Sequence, residues 1–186
     1  LYQMCLSAVD YVISNDLFEE IGIWNASEIE LIKRSWERKD FSVYGRFDLI
    51  YDGIHPPKFI EFNAQTPVWL PETAYAEAQW LQELFPNRTH FNNLETNLIQ
   101  RWKNYPNDTI FFSSAVFDLW LWITIEELSN ATFLAQMAAK AGKNAYFIPN
   151  DQLKIDFDQK TLQVKNSDIE IHDIFFHIPS ECYSQK

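Results

Sequence analysis

Two short triplets hold the residues best suited to chemistry: Arg46-Phe47-Asp48 and Glu61-Phe62-Asn63. Each reads polar, aromatic, polar, which is the period of a β-strand, where successive side chains point to opposite faces. Between them, Asp52-Gly53-Ile54-His55-Pro56-Pro57 is turn chemistry. Folding the two segments about the middle of that turn sets position 46 opposite 63 and 48 opposite 61. Arg46, Asp48, Glu61 and Asn63 then share one face. Phe47, Leu49, Tyr51, Ile60 and Phe62 share the other, which is expected to be core.

This register sets Asp48 directly against Glu61, and like charges opposed across a strand pair destabilise it. At about 5 Å and an effective dielectric of about 20 the repulsion is about 3 kcal/mol. Three devices can offset it. A divalent cation can sit between the carboxylates and the Asn63 amide oxygen, and hard Mg2+ prefers such ligands. One carboxylate can take a raised pKa, or Arg46 can lie between them. A slip of one residue would separate the pairs. The plain alternative is an exposed hairpin face.

The elements that must position these residues follow from periodicity. Residues 1–21 place Cys5, Ala8, Val9, Val12, Leu17 and Ile21 at helical spacing, so Cys5 reads as core. Asn25 with Glu28 resembles a helix cap, and Arg38-Lys39-Asp40 ends that helix. The period then becomes two over Tyr44–Tyr51 and Lys58–Asn63. Pro71 opens a helix through Leu84, and Asn92 with Glu95 caps another with Leu94, Leu98 and Trp102 as its stripe. Thr109–Ser114 is an apolar strand. Thr124 with Glu127 reads as a capping box for a helix that stops at Gly142, and Ala145–Ile148 is the next strand. That strand–helix–strand unit is a crossover and predicts a parallel sheet. Leu153–Ile171 suggests a small hairpin, and Ile174–Ile178 a last strand. The fold class expected is α/β, a mostly parallel sheet flanked by helices, with a β-hairpin carrying the metal-binding face. The domains expected are N-terminal helices over 1–40 and an α/β domain over 41–186.

Bulk properties narrow the function classes. The 186 residues carry a formal net charge of -11 and only 4 Gly, with no glycine-rich phosphate loop. An acidic surface repels phosphodiesters, so nucleic acid is not an expected partner; a cationic amine or a metal suits it better. Cys5 and Cys182 form no framework, no secretory signal opens the chain and no run of about 18 apolar residues occurs. The expected compartment is therefore the cytoplasm, with no membrane partner, and the four Asn-X-Ser/Thr sites at Asn25, Asn87, Asn107 and Asn130 read as chance. The aromatic residues Trp69, Trp80, Trp102, Trp120 and Trp122 read mostly as core. His172 and His177 lack a third ligand for a metal site, and Ser113-Ser114 reads as a strand end that could line a cleft.

Longer strings say more. Gly45-Arg46-Phe47-Asp48, then Pro57-Lys58-Phe59-Ile60-Glu61-Phe62-Asn63-Ala64-Gln65-Thr66-Pro67, then Glu72 and Gln79-Trp80-Leu81 resemble the signature of the glutathionylspermidine synthase family of ATP-grasp ligases. The resemblance runs to Glu181 and implies a pre-ATP-grasp-like fold. It implies that Asp48, Glu61 and Asn63 hold Mg2+, that Arg46 serves the transferred phosphate and substrate, and that Thr66 contacts glutathione. It implies further that Glu126 and Glu127 form an acidic pair facing polyamine and glutathione. From position alone, the same two carboxylates would stabilise a helix N-terminus. The family's second small hydroxyl residue is replaced here by Val68, followed by Trp69, which bears on whether the acid is glutathione itself.

The resemblance thus implies an ATP-dependent carboxylate–amine ligase. It would join a peptide- or glutathione-like acid to a polyamine-like amine through an acyl phosphate, with ATP gripped mainly by residues beyond Lys186. This chain alone is then expected to be inactive. Two readings from other classes stand beside it: a non-catalytic metal- or polyamine-binding module, and a hydrolase using Asp48 and Glu61 as acid and base.

Overall fold

The computed structural model describes residues 1–115, 121–156 and 161–177. Contacts divide the chain into two compact units, Leu1–Ser42 and Val43–Lys186.

The first unit holds helix α1 (Tyr2–Ser14), a short 3-10 turn at Glu19–Ile21 and helix α2 (Ala26–Arg38). The Asn25 side chain caps α2 by accepting from the backbone N–H groups of Ser27 and Glu28, at 2.9 and 3.3 Å. Lys39, in the left-handed conformation, ends it. The helical stripe expected as core is not buried here. No residue of α1 is buried, Cys5 is half-buried, and Ile21 is exposed. Two short helices enclose too little volume for a core. Polar ties hold them instead, Lys33 to Asp16 at 2.6 Å and the Trp36 indole to Asp10 at 2.9 Å, around a buried Phe18.

The second unit opens with strands β1 (Arg46–Ile50) and β2 (Lys58–Asn63), paired antiparallel. Pro71 then leads into a wide π-type turn, Glu72–Ala76, continuous with helix α3 (Glu77–Leu84). Helix α4 (Leu94–Lys103) follows. Asn92 accepts from the Leu94 N–H at 2.8 Å, and Leu98 and Trp102 are buried as its stripe requires. Strand β3 (Thr109–Ser114), helix α5 (Leu121–Lys140) and strand β4 (Asn144–Phe147) form the expected crossover, with β3 and β4 parallel. Gly142, at φ +90, lets the chain leave α5 sharply. Strands β5 (Leu153–Asp156), β6 (Thr161–Val164) and β7 (Glu170–Ile171) make a separate antiparallel sheet. Strand β8 (Ile174–His177) returns beside β3, again parallel. Ile178 lies outside the described residues.

Mixed α/β is therefore correct, but among the described residues the sheets are not mostly parallel. The parallel sheet has three strands in the order β4-β3-β8, against a two-stranded and a three-stranded antiparallel sheet. The long connection from β4 to β8 folds on itself as an antiparallel sheet. Its short strands hold Ile171 in a small core with Phe111 and Ile148. The main core lies where α4 and α5 meet β3, with Trp102, Phe112, Leu134 and Met137 fully buried. Trp69 and Trp80, expected as core, are 60% and 55% exposed. Trp120 and the side chain of Trp122 lie outside the described set.

Candidate functional site

The register of the hairpin is the one the alternation requires: Arg46 pairs with Asn63 and Asp48 with Glu61. Beyond Asp48 a bulge skips Ile60, so that Leu49 pairs with Phe59. The bulge breaks the alternation, and the face expected as core is only partly one. Phe47 and Phe62 stack with ring centroids 4.3 Å apart and are half-buried, whereas Leu49, Tyr51 and Ile60 are exposed. Gly45 enables that stack. A Cβ there would overlap Cε2 of Phe62, so any larger residue would make the ring shift.

On the polar face, the Arg46 guanidinium forks onto Asp48, Nε to Oδ1 at 2.8 Å and Nη2 to Oδ2 at 3.1 Å. The Asn63 amide donates to Glu61 Oε1 at 2.8 Å and to Asp48 Oδ2 at 3.4 Å. Arg46 holds the Asp48 carboxyl below its usual range, and Asp48 in turn raises the arginine. Of the three ways to offset the opposed charges, the structure displays the arginine, with Asn63 bridging the pair. A raised Asp48 pKa is the opposite of what is found.

Among the described residues no group of three or more His, Cys, Asp or Glu side chains is placed to hold a metal ion. Asp48 and Glu61 are two carboxylates whose oxygens converge on one neighbour, the Asn63 amide. Turning that amide over would present Oδ1 in place of the NH2 and give an all-oxygen set of the kind hard divalent cations take. The donor chemistry thus suits Mg2+, with Arg46 as the group that would have to yield on Asp48.

A second cluster lies on the segment after β2 and on α5. Thr124 is the fourth residue of α5, not its cap, and Glu126 and Glu127 stand one turn inside the helix rather than at its start. The apolar residues before Thr124 extend the helix backward, which the capping signal concealed. Glu127 is buried and bonded to Nδ1 of His177, itself fully buried at the end of β8. Nε2 of His177 faces the Tyr44 hydroxyl at 3.3 Å and the Pro67 carbonyl at 3.4 Å, and that hydroxyl donates to the same carbonyl. Burial, with the Glu127 charge beside it, pushes the Tyr44 phenol up.

Glu126 is half-buried and accepts from the Trp69 indole at 3.1 Å. Asn130, fully buried, accepts from the Leu70 N–H at 3.0 Å and donates to the Glu126 carbonyl at 2.8 Å. Thr66, half-buried, lies between the two clusters in sequence. The Glu126 charge also contributes to raising Arg46.

Sequence reasoning missed Tyr44, Asn130 and the pairing of His177. The available signal was a histidine ending an apolar strand, which must find a partner if buried. Ser113 and Ser114, also at a strand end, are fully buried, with hydroxyls that have no hydrogen-bond partner among the described residues. Cys182 lies outside the described residues.

Known proteins place this architecture. The family model described as glutathionylspermidine synthase preATP-grasp matches residues 1–185, and the chain belongs to that family. A protein of Haemophilus influenzae (strain ATCC 51907 / DSM 11121 / KW20 / Rd) named "Putative acid--amine ligase" is 31% identical over 190 residues, covering 99% of this chain and 46% of that protein. The chain thus spans about half the length of this curated relative.

Proposed function

We propose that this chain is the metal- and substrate-facing portion of an ATP-dependent carboxylate–amine ligase. The observation that carries the reading is the hairpin register, which sets Arg46, Asp48, Glu61 and Asn63 on one face in a chain of this family. The wider reading is that the parent protein joins a peptide- or glutathione-like acid to a polyamine-like amine through an acyl phosphate, in the cytoplasm. No helix among the described residues is long and apolar enough to cross a membrane.

Each residue then has a physical task. Asp48, Glu61 and Asn63 hold Mg2+, which when bound neutralises phosphate charge. Arg46, released from Asp48, donates to the transferring phosphoryl oxygens, as a planar fork suits. Thr66 offers a hydroxyl to the acid substrate. Glu126, half-buried, holds the cationic amine. Glu127, with one carboxylate oxygen on His177, is the other member of the acidic pair that faces substrate.

The test uses the full-length protein that carries this chain, assayed for amine-dependent ADP release with a panel of peptide carboxylates. Arg46→Ala is expected to lower kcat by about 100-fold or more, in the range seen when a transition-state donor is removed. Wild-type turnover in a folded Arg46→Ala protein would overturn the role given to Arg46.

A further inference from the structure

Four non-glycine residues among those described have positive φ: Asp16, Lys39, Trp69 and Asn166. Trp69, at φ +78, is the bulky aromatic among them, and aromatic residues rarely enter that region without something forcing them. Its neighbours do the forcing. The carbonyl of buried Pro67 accepts from Tyr44, and the Leu70 N–H is held by the buried Asn130. The Trp69 carbonyl starts the next turn by accepting from the Thr73 N–H at 3.1 Å.

The result of this strain is not burial. The ring is 60% exposed, with its N–H on Glu126. Packing does not explain a strained and exposed tryptophan, because burying the ring would be the stabilising outcome. An exposed indole face beside a half-buried carboxylate is, however, the pairing that recognises an alkylammonium ion. The carboxylate takes the charge, and the ring takes the methylenes and the cation.

We propose that Trp69 is a specificity-determining residue of the amine site, selecting cationic, unbranched alkyl amines by covering them against Glu126. The inference rests on the reading that the amine lies at Glu126. It adds the residue that discriminates among amines and gives the strained backbone a purpose.

The test is a titration of the present chain, carrying 15N-labelled indoles, with spermidine as probe at physiological salt, and with a neutral diol of similar length as control. The Trp69 indole resonance, assigned by its loss in Trp69→Phe, is expected to shift saturably with spermidine and not with the diol. Trp69→Leu is expected to raise the Kd about fivefold or more, and Trp69→Phe, which keeps a ring face, to raise it less. Far-UV circular dichroism and thermal melting check that each variant is folded. Should Trp69→Leu melt early, the indole shift and the Phe variant decide. Equal spermidine affinity in wild type and Trp69→Leu, with Glu126→Gln weakened, would overturn the role of Trp69 and leave the amine site standing. No binding of spermidine by wild type would remove the amine site and this inference together.

Discussion

His177 is sealed from water, and its only acidic partner among the described residues is Glu127. A buried pair of this kind punishes removal of one member more than removal of both, because the survivor keeps its desolvation cost. His177→Ala is therefore expected to lose about 3 kcal/mol of stability. His177→Ala combined with Glu127→Leu should recover part of that loss. Urea denaturation of the three proteins measures it, and a double variant no better than His177→Ala would contradict the pairing.

Asp52 gives a second prediction at this scale. It accepts from the His55 ring and from the N–H groups of His55 and Ile54, which hold its pKa down at about 2. A carboxyl lowered in the folded state adds stability above its unfolded value, near 4, and that stability fades as pH falls toward the folded value. The Ile54 and His55 amide resonances should thus titrate near 2, and a midpoint near 4 would contradict the turn. The identities at the polar face were legible in the sequence because strand alternation is strict. The Glu127–His177 bond was not, since it joins residues 50 positions apart whose meeting depends on the return of β8 to β3.

The hairpin shows what local pattern can and cannot specify. Alternation and turn chemistry were enough to pair β1 with β2 correctly at the site, whereas the bulge at Ile60 has no marker in the residues beside it. The α5 start misled for a related reason. Thr124 and Glu127 match a capping box, yet the apolar residues preceding them are as compatible with helix as with loop, and the helix includes them. The crossover itself was legible because its helix and strands differ plainly in period. Gly45 supplies the prediction for this scale. Gly45→Ala must displace the Phe62 ring or the strand, an overpacking that typically costs about 1–3 kcal/mol. The cost should appear in thermal melting and be matched by weaker divalent-cation binding, because the same displacement pulls Asn63 from Glu61. A variant with unchanged melting and binding would show that the glycine is not required there.

At the scale of the molecule, the acidic balance of -11 suits a cationic partner, and the chain belongs to the glutathionylspermidine synthase preATP-grasp family. The sequence made the family legible through separated strings, Gly45-Arg46-Phe47-Asp48 and the run from Pro57 to Pro67 above all. The small share of parallel sheet depends on long-range packing, which no local pattern carries. The central claim is that the opposed carboxylates of the hairpin are kept for a cation, with Arg46 on Asp48 until the cation arrives. Calorimetric titration of the chain with Mg2+, using wild type, Asp48→Ala and Glu61→Ala, tests it most directly. Saturable binding by wild type, lost or weakened by about tenfold or more in each variant, is the predicted result, since each removes one of two charged ligands. Binding unchanged in both variants, or absent from wild type, would contradict the claim.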